Sequence, residues 1–400
     1  MMKMASAAAM SDSTGDVVDA CIEELLARDL IEPDYLMAQA DARHDLSTVS
    51  DALRKRWPGA RLHLATSCHG SFTETALAMG PKPGLCLFAI TDPEGDYGTA
   101  CGELGADARS AASALTRAAL RDAGRFGESP TLVWMSSAPG DEEDVIAGIQ
   151  DVVSDTTPIV GGSAADNEIA GQWRMSDGER AVSQGMVLSA LFPTGKVGAA
   201  FHSGYTPTSE GGRITRCNGR QLLEIDGRPA AEVYAEWTDG AVEIPKTGVE
   251  NVLMSTSLWP LGRTMSTLGG ADVYILSHPE TIRPDGSMTL FTRVAEGDEV
   301  VLMSGTIDAV INRPVLVAQA AARVGEIEPD DVAGMILVFC AGCMLTVQAQ
   351  MDQVRASLAK AMPGVPMIAA FTFGEQGPAV ACHNRHGNLM ISSVVFSRAR

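Results

Sequence analysis

The chain has 400 residues, 46% hydrophobic and 20% charged, a length that exceeds one compact core and sets an expectation of two domains. Its formal net charge is −20, with 50 acidic and 30 basic residues, so a nucleic-acid partner is excluded. The longest nearly apolar run, Met335 to Leu345, falls well short of the ~18 residues of a membrane span, so membrane insertion is excluded as well.

Residues 1–15 are small and polar and read as a disordered tail. Val17, Val18, Cys21, Ile22, Leu25 and Leu26 recur at helical spacing and predict a helix over Asp16 to Asp29. A second helix runs through Leu46, Val49, Leu53 and Trp57 and stops at Pro58-Gly59. A strand over Arg61 to Thr66 leads into the turn Ser67-Cys68-His69-Gly70. A strand over Leu85 to Thr91 and an alanine-rich helix over Gly105 to Asp122 follow.

Thr131 to Ser136 is a buried strand. Asp141 to Asp144 opens a helix, where carboxylates suit the positive end of the dipole. Pro158 to Val160 is a second strand, broken at Gly161-Gly162, and Gly185 to Phe192 a third. The same order recurs as the strand Ile336 to Cys340, the turn Ala341 to Cys343, a helix marked by Val347, Met351, Val354 and Leu358, the strand Pro366 to Phe371 broken at Phe373-Gly374-Glu375, and the strand Leu389 to Phe396. Between the copies lie strands at Val197 to Ser203, Gly212 to Cys217, Val273 to Ser277, Met288 to Val294 and Glu299 to Ser304, with helices at Pro229 to Trp237 and Pro314 to Val324. The expected fold is α/β: two related mixed-sheet domains with flanking helices, layered α-β-β-α, over residues 16–228 and 229–400.

Turns at the ends of buried strands sit where open α/β sheets bind ligands. Gly161, Gly162 and Gly374 let the backbone approach a ligand closely. Ser163 and Asp166 in the first half, and Glu375, His383 and Asn384 in the second, stand near enough in sequence to orient one.

These residues resemble the FIST family, a two-part sensory module. The N-terminal part is similar in Pro158-Ile-Val-Gly161-Gly162 and from Ile214 through Leu223-Glu-Ile-Asp226-Gly-Arg-Pro229 to Tyr234. The C-terminal part is similar in Val294-Ala-Glu-Gly297-Asp298, Val338-Phe-Cys340-Ala-Gly342, Phe373-Gly374-Glu375-Gln-Gly377-Pro378 and His383-Asn384. Two positions depart from the family pattern: Cys343 stands where an arginine is usual, and Thr66 to Gly70 replaces a Ser-Thr-x-Gly-Glu turn. The resemblance implies a sensor with Gly161, Gly162, Ser163, Asp166, Cys340, Gly342, Phe373, Gly374, Glu375, His383 and Asn384 around a small ligand. No kinase or cyclase segment accompanies the modules, which implies a stand-alone form with a separately encoded signalling partner such as a histidine kinase. A subgroup of such members binds heme b and senses nitric oxide; a heme-free sensor of a small metabolite such as an amino acid is the alternative.

A heme sensor needs an axial ligand, usually a neutral histidine. His202, in Phe201-His-Ser-Gly204-Tyr205, is the first candidate and His69 the alternative; His44, His63, His278 and His386 read as surface or strand positions. Met344 follows Cys343, so the Cys-x-x-Cys-His signature of covalent heme attachment is missing. Cys340 and Cys343 with His383 and His386 form a weaker zinc reading, and Cys340 with Cys343 a redox pair. No Gly-x-Ser-x-Gly, Walker or His-Glu-x-x-His motif occurs. The chain therefore reads as not an enzyme, the alternative being an unrecognised activity at Cys340 and Glu375. The eight cysteines lie in apolar contexts and point to a reduced, cytoplasmic protein.

Overall fold

The computed structural model describes residues 2–28, 32–268, 271–379 and 383–398; Cys382 and the expected helix end at Asp29 lie outside them. The fold is mixed α/β, and the strand–helix–strand unit read twice in the sequence occurs three times. Each unit has four strands in the order first, fourth, second, third. In the first unit these are Lys3–Met10, Tyr35–Asp41, Arg61–Ser67 and Gly84–Thr91. In the second they are Asp96–Glu103, Leu132–Ser137, Ile159–Ser163 and Gly185–Phe192. In the third they are Val197–Ser203, Val332–Cys340, Met367–Thr372 and Met390–Ser397. Second and third strands are always parallel, joined by a crossover helix: Leu46–Arg56, Glu142–Gln150 or Met351–Ala361. A further helix follows the first strand: Thr14–Ala27, Ala108–Asp122 or Ile307–Val324.

Alternate residues of each second strand face opposite sides, as the two-residue strand period requires. Leu36 and Ala38, Val133 and Met135, and Leu337 and Phe339 pack outward under the helices. Tyr35 and Met37, Leu132 and Trp134, and Ile336 and Val338 pack inward into one core shared by all three sheets. Both faces are covered, which is why these strands read as continuous apolar runs. Across any two units the layers are α-β-β-α.

The disordered-tail expectation is corrected. Lys3–Met10 pairs along its whole length with Gly84–Thr91, and Ser13 caps the next helix by accepting from Asp16 N–H. Ala5 and Ala7 are buried there; small side chains suit the close approach of a helix and carry no strand signal of their own. The Tyr35–Asp41 strand is built largely of leucine, methionine and alanine, so tertiary context decides its state against local propensity. The third-unit helix begins at Ile307, not Pro314; Thr306 caps it and the proline lies inside it.

Between Ser203 and Ile307 the third unit carries an insertion, a separate antiparallel sheet. Its main strands are Thr206–Asn218, Gln221–Ile225, Leu261–Leu268, Ala271–Ser277 and Glu299–Ser304, and it packs on the helix Ala230–Trp237. The 228/229 division falls within this insertion. The three units are tied where their third strands end. Cys68 N–H donates to Phe371 O (3.0 Å), Phe373 N–H to Ser163 O (3.0 Å), Ser163 N–H to Gly374 O (2.8 Å), and Ala165 N–H to Thr66 O (3.2 Å). The three strand ends thus form a closed ring of backbone hydrogen bonds. Among the described residues no helix is long and apolar enough to cross a membrane.

Candidate functional site

A cavity of about 480 Å³ opens where the strand ends of the units meet the insertion. The first unit contributes Cys68 and the second Pro139, Gly140 and Glu142. The loop after Ser163 contributes Asn167, Glu168, Ile169 and Trp173. The insertion supplies Arg220, Leu253, Met254, His278, Glu280 and Phe291, and the third unit Cys340, Ala341, Gly342, Leu345, Thr372 and Phe373. The walls are mostly apolar with a few convergent polar groups, the usual make-up of a small-molecule site.

The polar centre of the wall is Glu142, 1% exposed. Its Oε1 accepts from Ser163 Oγ (2.7 Å), and its Oε2 from Arg220 Nη2 (2.6 Å) and Gly140 N–H (2.9 Å). Burial alone would raise its pKa, but His386 and Arg220 outweigh it, with the Ser163 bond assisting, and hold it down at about 2. Arg220 also reaches Glu143 (3.2 Å). Arg293 of the insertion bonds Asp144 at 2.6 Å and donates its N–H to Glu143 at 2.8 Å. The acidic first turn, read from sequence as a helix start, is therefore also a clamp between the second unit and the insertion. Glu142 and Arg220 were not among the expected site residues. Glu142 sat in a run of four acids that resembles a solvated helix start, and nothing local links it to Arg220.

The expected site residues divide. Cys340, Gly342 and Phe373 line the cavity. Burial pushes the Cys340 thiol well up, with Cys343 adding to the shift, so it is a thiol at neutral pH. Ser163 stands behind the wall on Glu142. Asp166, 2% exposed, accepts from Glu168, Ala170 and Gln172 N–H and shapes the loop that forms the rim. Gly161 and Gly162 are closest-approach points: a Cβ at Gly162 would run into the Thr372 side chain, and one at Gly161 into the Met135 carbonyl. Gly374 leaves room for the His386 ring.

Glu375 and Asn384 do not line the cavity. Glu375, fully buried, accepts from Thr372 Oγ1 (2.9 Å) and Met390 N–H (3.1 Å). Burial and the neighbouring Cys340 push its pKa well up. The Asn384 amide accepts from Ile159 N–H (2.8 Å) and donates to Thr157 O (2.9 Å), stitching the strand Asn384–Gly387 to the second unit. His383 is exposed and outside the cavity wall.

A heme iron needs an imidazole nitrogen with no other partner. The cavity's imidazole, His278, is buried with Nε2 bonded to Leu253 O (3.0 Å), and burial lowers its pKa to about 4; that Nε2 is not free for iron. His69 lies in a positive-φ turn, its N–H bonded to Asn167 Oδ1 (2.6 Å), and is not part of the wall. His202 lines a second cavity, about 460 Å³, with Phe201, Tyr274, Met390 and Arg313. His63, read as a surface or strand position, is buried between Ser189 (2.9 Å) and Ser136 (3.0 Å). Among the described residues no group of three or more His, Cys, Asp or Glu is arranged to hold a metal ion.

Comparison with known proteins gives three kinds of match. An uncharacterized protein of Methanocaldococcus jannaschii, MJ1623, is 24% identical over 156 residues, 38% of this chain and 30% of that protein; the match thus spans about a third of that relative. Cyanuric acid hydrolase from A. caulinodans is similar over the full length of both chains, at 10% identity and TM-score 0.41, and a second cyanuric acid hydrolase structure at 9% and 0.38. The expectation that the chain is not an enzyme is withdrawn, because the structures matched over its whole length are those of a hydrolase; likeness at this level assigns it no activity. Residues 35–228 match the FIST N domain and residues 230–378 the FIST C domain, and the chain belongs to the FIST family, whose domains are associated with sensory signal transduction.

Proposed function

We propose that this protein is a sensor whose small ligand occupies the 480 Å³ cavity and whose state is read by a separately encoded signalling partner such as a histidine kinase, in the cytoplasm. One observation carries the reading. The cavity is walled by residues of both FIST segments, and its polar wall, Glu142 with Arg220, is also the brace between the second unit and the insertion. A ligand touching that wall biases how the two parts sit, which is the differential contact a sensor needs. The seven described cysteines are free, and six of them buried, which suits a reducing compartment. The test is thermal unfolding against a metabolite set, comparing the chain with Leu345→Trp, which fills the cavity. A metabolite that raises the Tm of the chain and not of the variant supports the reading; a set that shifts neither rejects it.

Heme-linked nitric oxide sensing is the second reading, and His202 favours it. His202 is an exposed residue on the second cavity; partial desolvation of its ring and the charge of Arg313 lower its pKa, so it is neutral at neutral pH, and no side-chain hydrogen bond engages its ring among the described residues. His202 would hold the iron and Arg313 a propionate; the bound heme would supply an iron position open to nitric oxide. Heme reconstitution without a Soret band, or a spectrum unchanged by His202→Ala, rejects this reading.

A further inference from the structure

The charges around the main cavity do not balance. Three carboxylates in its wall, those of Glu142, Glu168 and Glu280, face one guanidinium, that of Arg220. Arg220 is already shared between Glu142 (2.6 Å) and Glu143 (3.2 Å). The Glu280 carboxylate, half-buried, makes no hydrogen bond or ion pair among the described residues; burial raises its pKa, and Arg220 and Arg283 act on it only at longer range. The cavity's other ionisable groups carry no compensating charge: His278 is neutral, burial pushes the Cys68 thiol up to about 12, and burial pushes the Cys340 thiol well up. Elsewhere in the same lining the wall is aromatic and apolar. Trp173 and Phe373 meet edge to face with centroids 6.2 Å apart, and Phe291 lines the same space. The Trp173 indole N–H is already taken by Ser183 O (2.8 Å), so its π-system is what it offers a ligand. Aromatic faces attract cations, and a half-buried carboxylate without a partner calls for one.

Resting on the reading of this cavity as the ligand site, we infer that it takes an organic cation: an amine on an apolar body, with Glu280 as its counter-ion and Trp173, Phe291 and Phe373 around it. The one guanidinium in the wall is ion-paired twice through Nη2, with its buried Nε left unpartnered, so a ligand carboxylate would compete with Glu142 and Glu143 for it. This favours an amine over an amino acid, whose carboxylate would add to the excess of negative charge in the wall.

Titration calorimetry with three probes of matched body tests this: phenethylamine, phenylalanine and 3-phenylpropionate. Phenethylamine is expected to bind most tightly, and Glu280→Gln to weaken it on the order of tenfold or more without lowering the unliganded Tm, since the Glu280 carboxylate holds nothing in the fold and its burial already opposes its charge. Trp173→Leu is expected to weaken the same probe. Binding of 3-phenylpropionate as tight as that of the amine, or amine binding unaltered by Glu280→Gln, overturns the inference. Where Leu345→Trp still abolishes such binding, the cavity reading stands. Binding of none of the three probes also overturns the inference; the cavity reading falls with it only when the wider metabolite set is silent too.

Discussion

Arg220 Nη2 lies 2.6 Å from Glu142 Oε2, so a turn of the inserted sheet is ion-paired to the first turn of a helix in the second unit. The pair is shielded from water: the Glu142 side chain is 2% exposed and that of Arg220 21%. Removing one partner leaves a buried charge uncompensated. Arg220→Ala is expected to destabilise the protein by roughly 3–5 kcal/mol, read by urea unfolding at pH 7.

The same pair sets an acid limb of stability. The folded-state pKa of Glu142, about 2, lies below the ordinary value of 4.5. Its contribution is therefore complete above 4.5 and is lost as pH falls toward 2. A pH series of unfolding curves should show this loss in the parent chain. In Arg220→Ala the loss should be smaller and end at higher pH, because the folded-state value moves up toward the unchanged unfolded one; an unmoved acid limb would detach Arg220 from Glu142.

Glu375 runs the other way. Burial raises its folded-state pKa, so it stabilises the fold least where the unfolded chain is ionised. Stability should decline as pH rises above the ordinary glutamate range toward the folded value. Glu375→Gln can keep both bonds, its amide accepting from Met390 N–H and donating to Thr372. We expect a flatter pH profile, with equal stability at pH 4 and higher stability than the parent at pH 8.

Gly162 faces the Thr372 side chain where two third strands converge. Gly162→Val should cost about 1–3 kcal/mol or more through overpacking. Thr372→Ala should recover part of that cost in a double-mutant cycle, and full additivity would place the strain elsewhere.

Asp166 gathers three backbone N–H groups of the rim loop. Asp166→Ala should free residues 167–173 to exchange amide hydrogens faster, while the strands Leu132–Ser137 and Val332–Cys340 remain protected. Uniform exchange across the chain would mean that Asp166 supports the fold globally.

By itself the sequence determined the strand–turn–helix grammar. Apolar runs such as Thr131 to Ser136 and Ile336 to Cys340, helical spacing at Val17, Cys21 and Leu25, and glycines at strand ends are local signals, because side-chain period and backbone freedom act over a few residues. Cys340, Gly342 and Phe373, which the family resemblance implied, line the cavity at or just past strand ends. The tertiary structure alone decided that there are three units, since Ala5, Ala7 and Ala38 become strand residues only when helices and neighbouring strands cover them. It alone placed Glu142 on Arg220 and left Glu280 unpaired in the same wall. Ion pairing depends on which surfaces the sheets bring together across 78 residues of chain, and no periodicity encodes that.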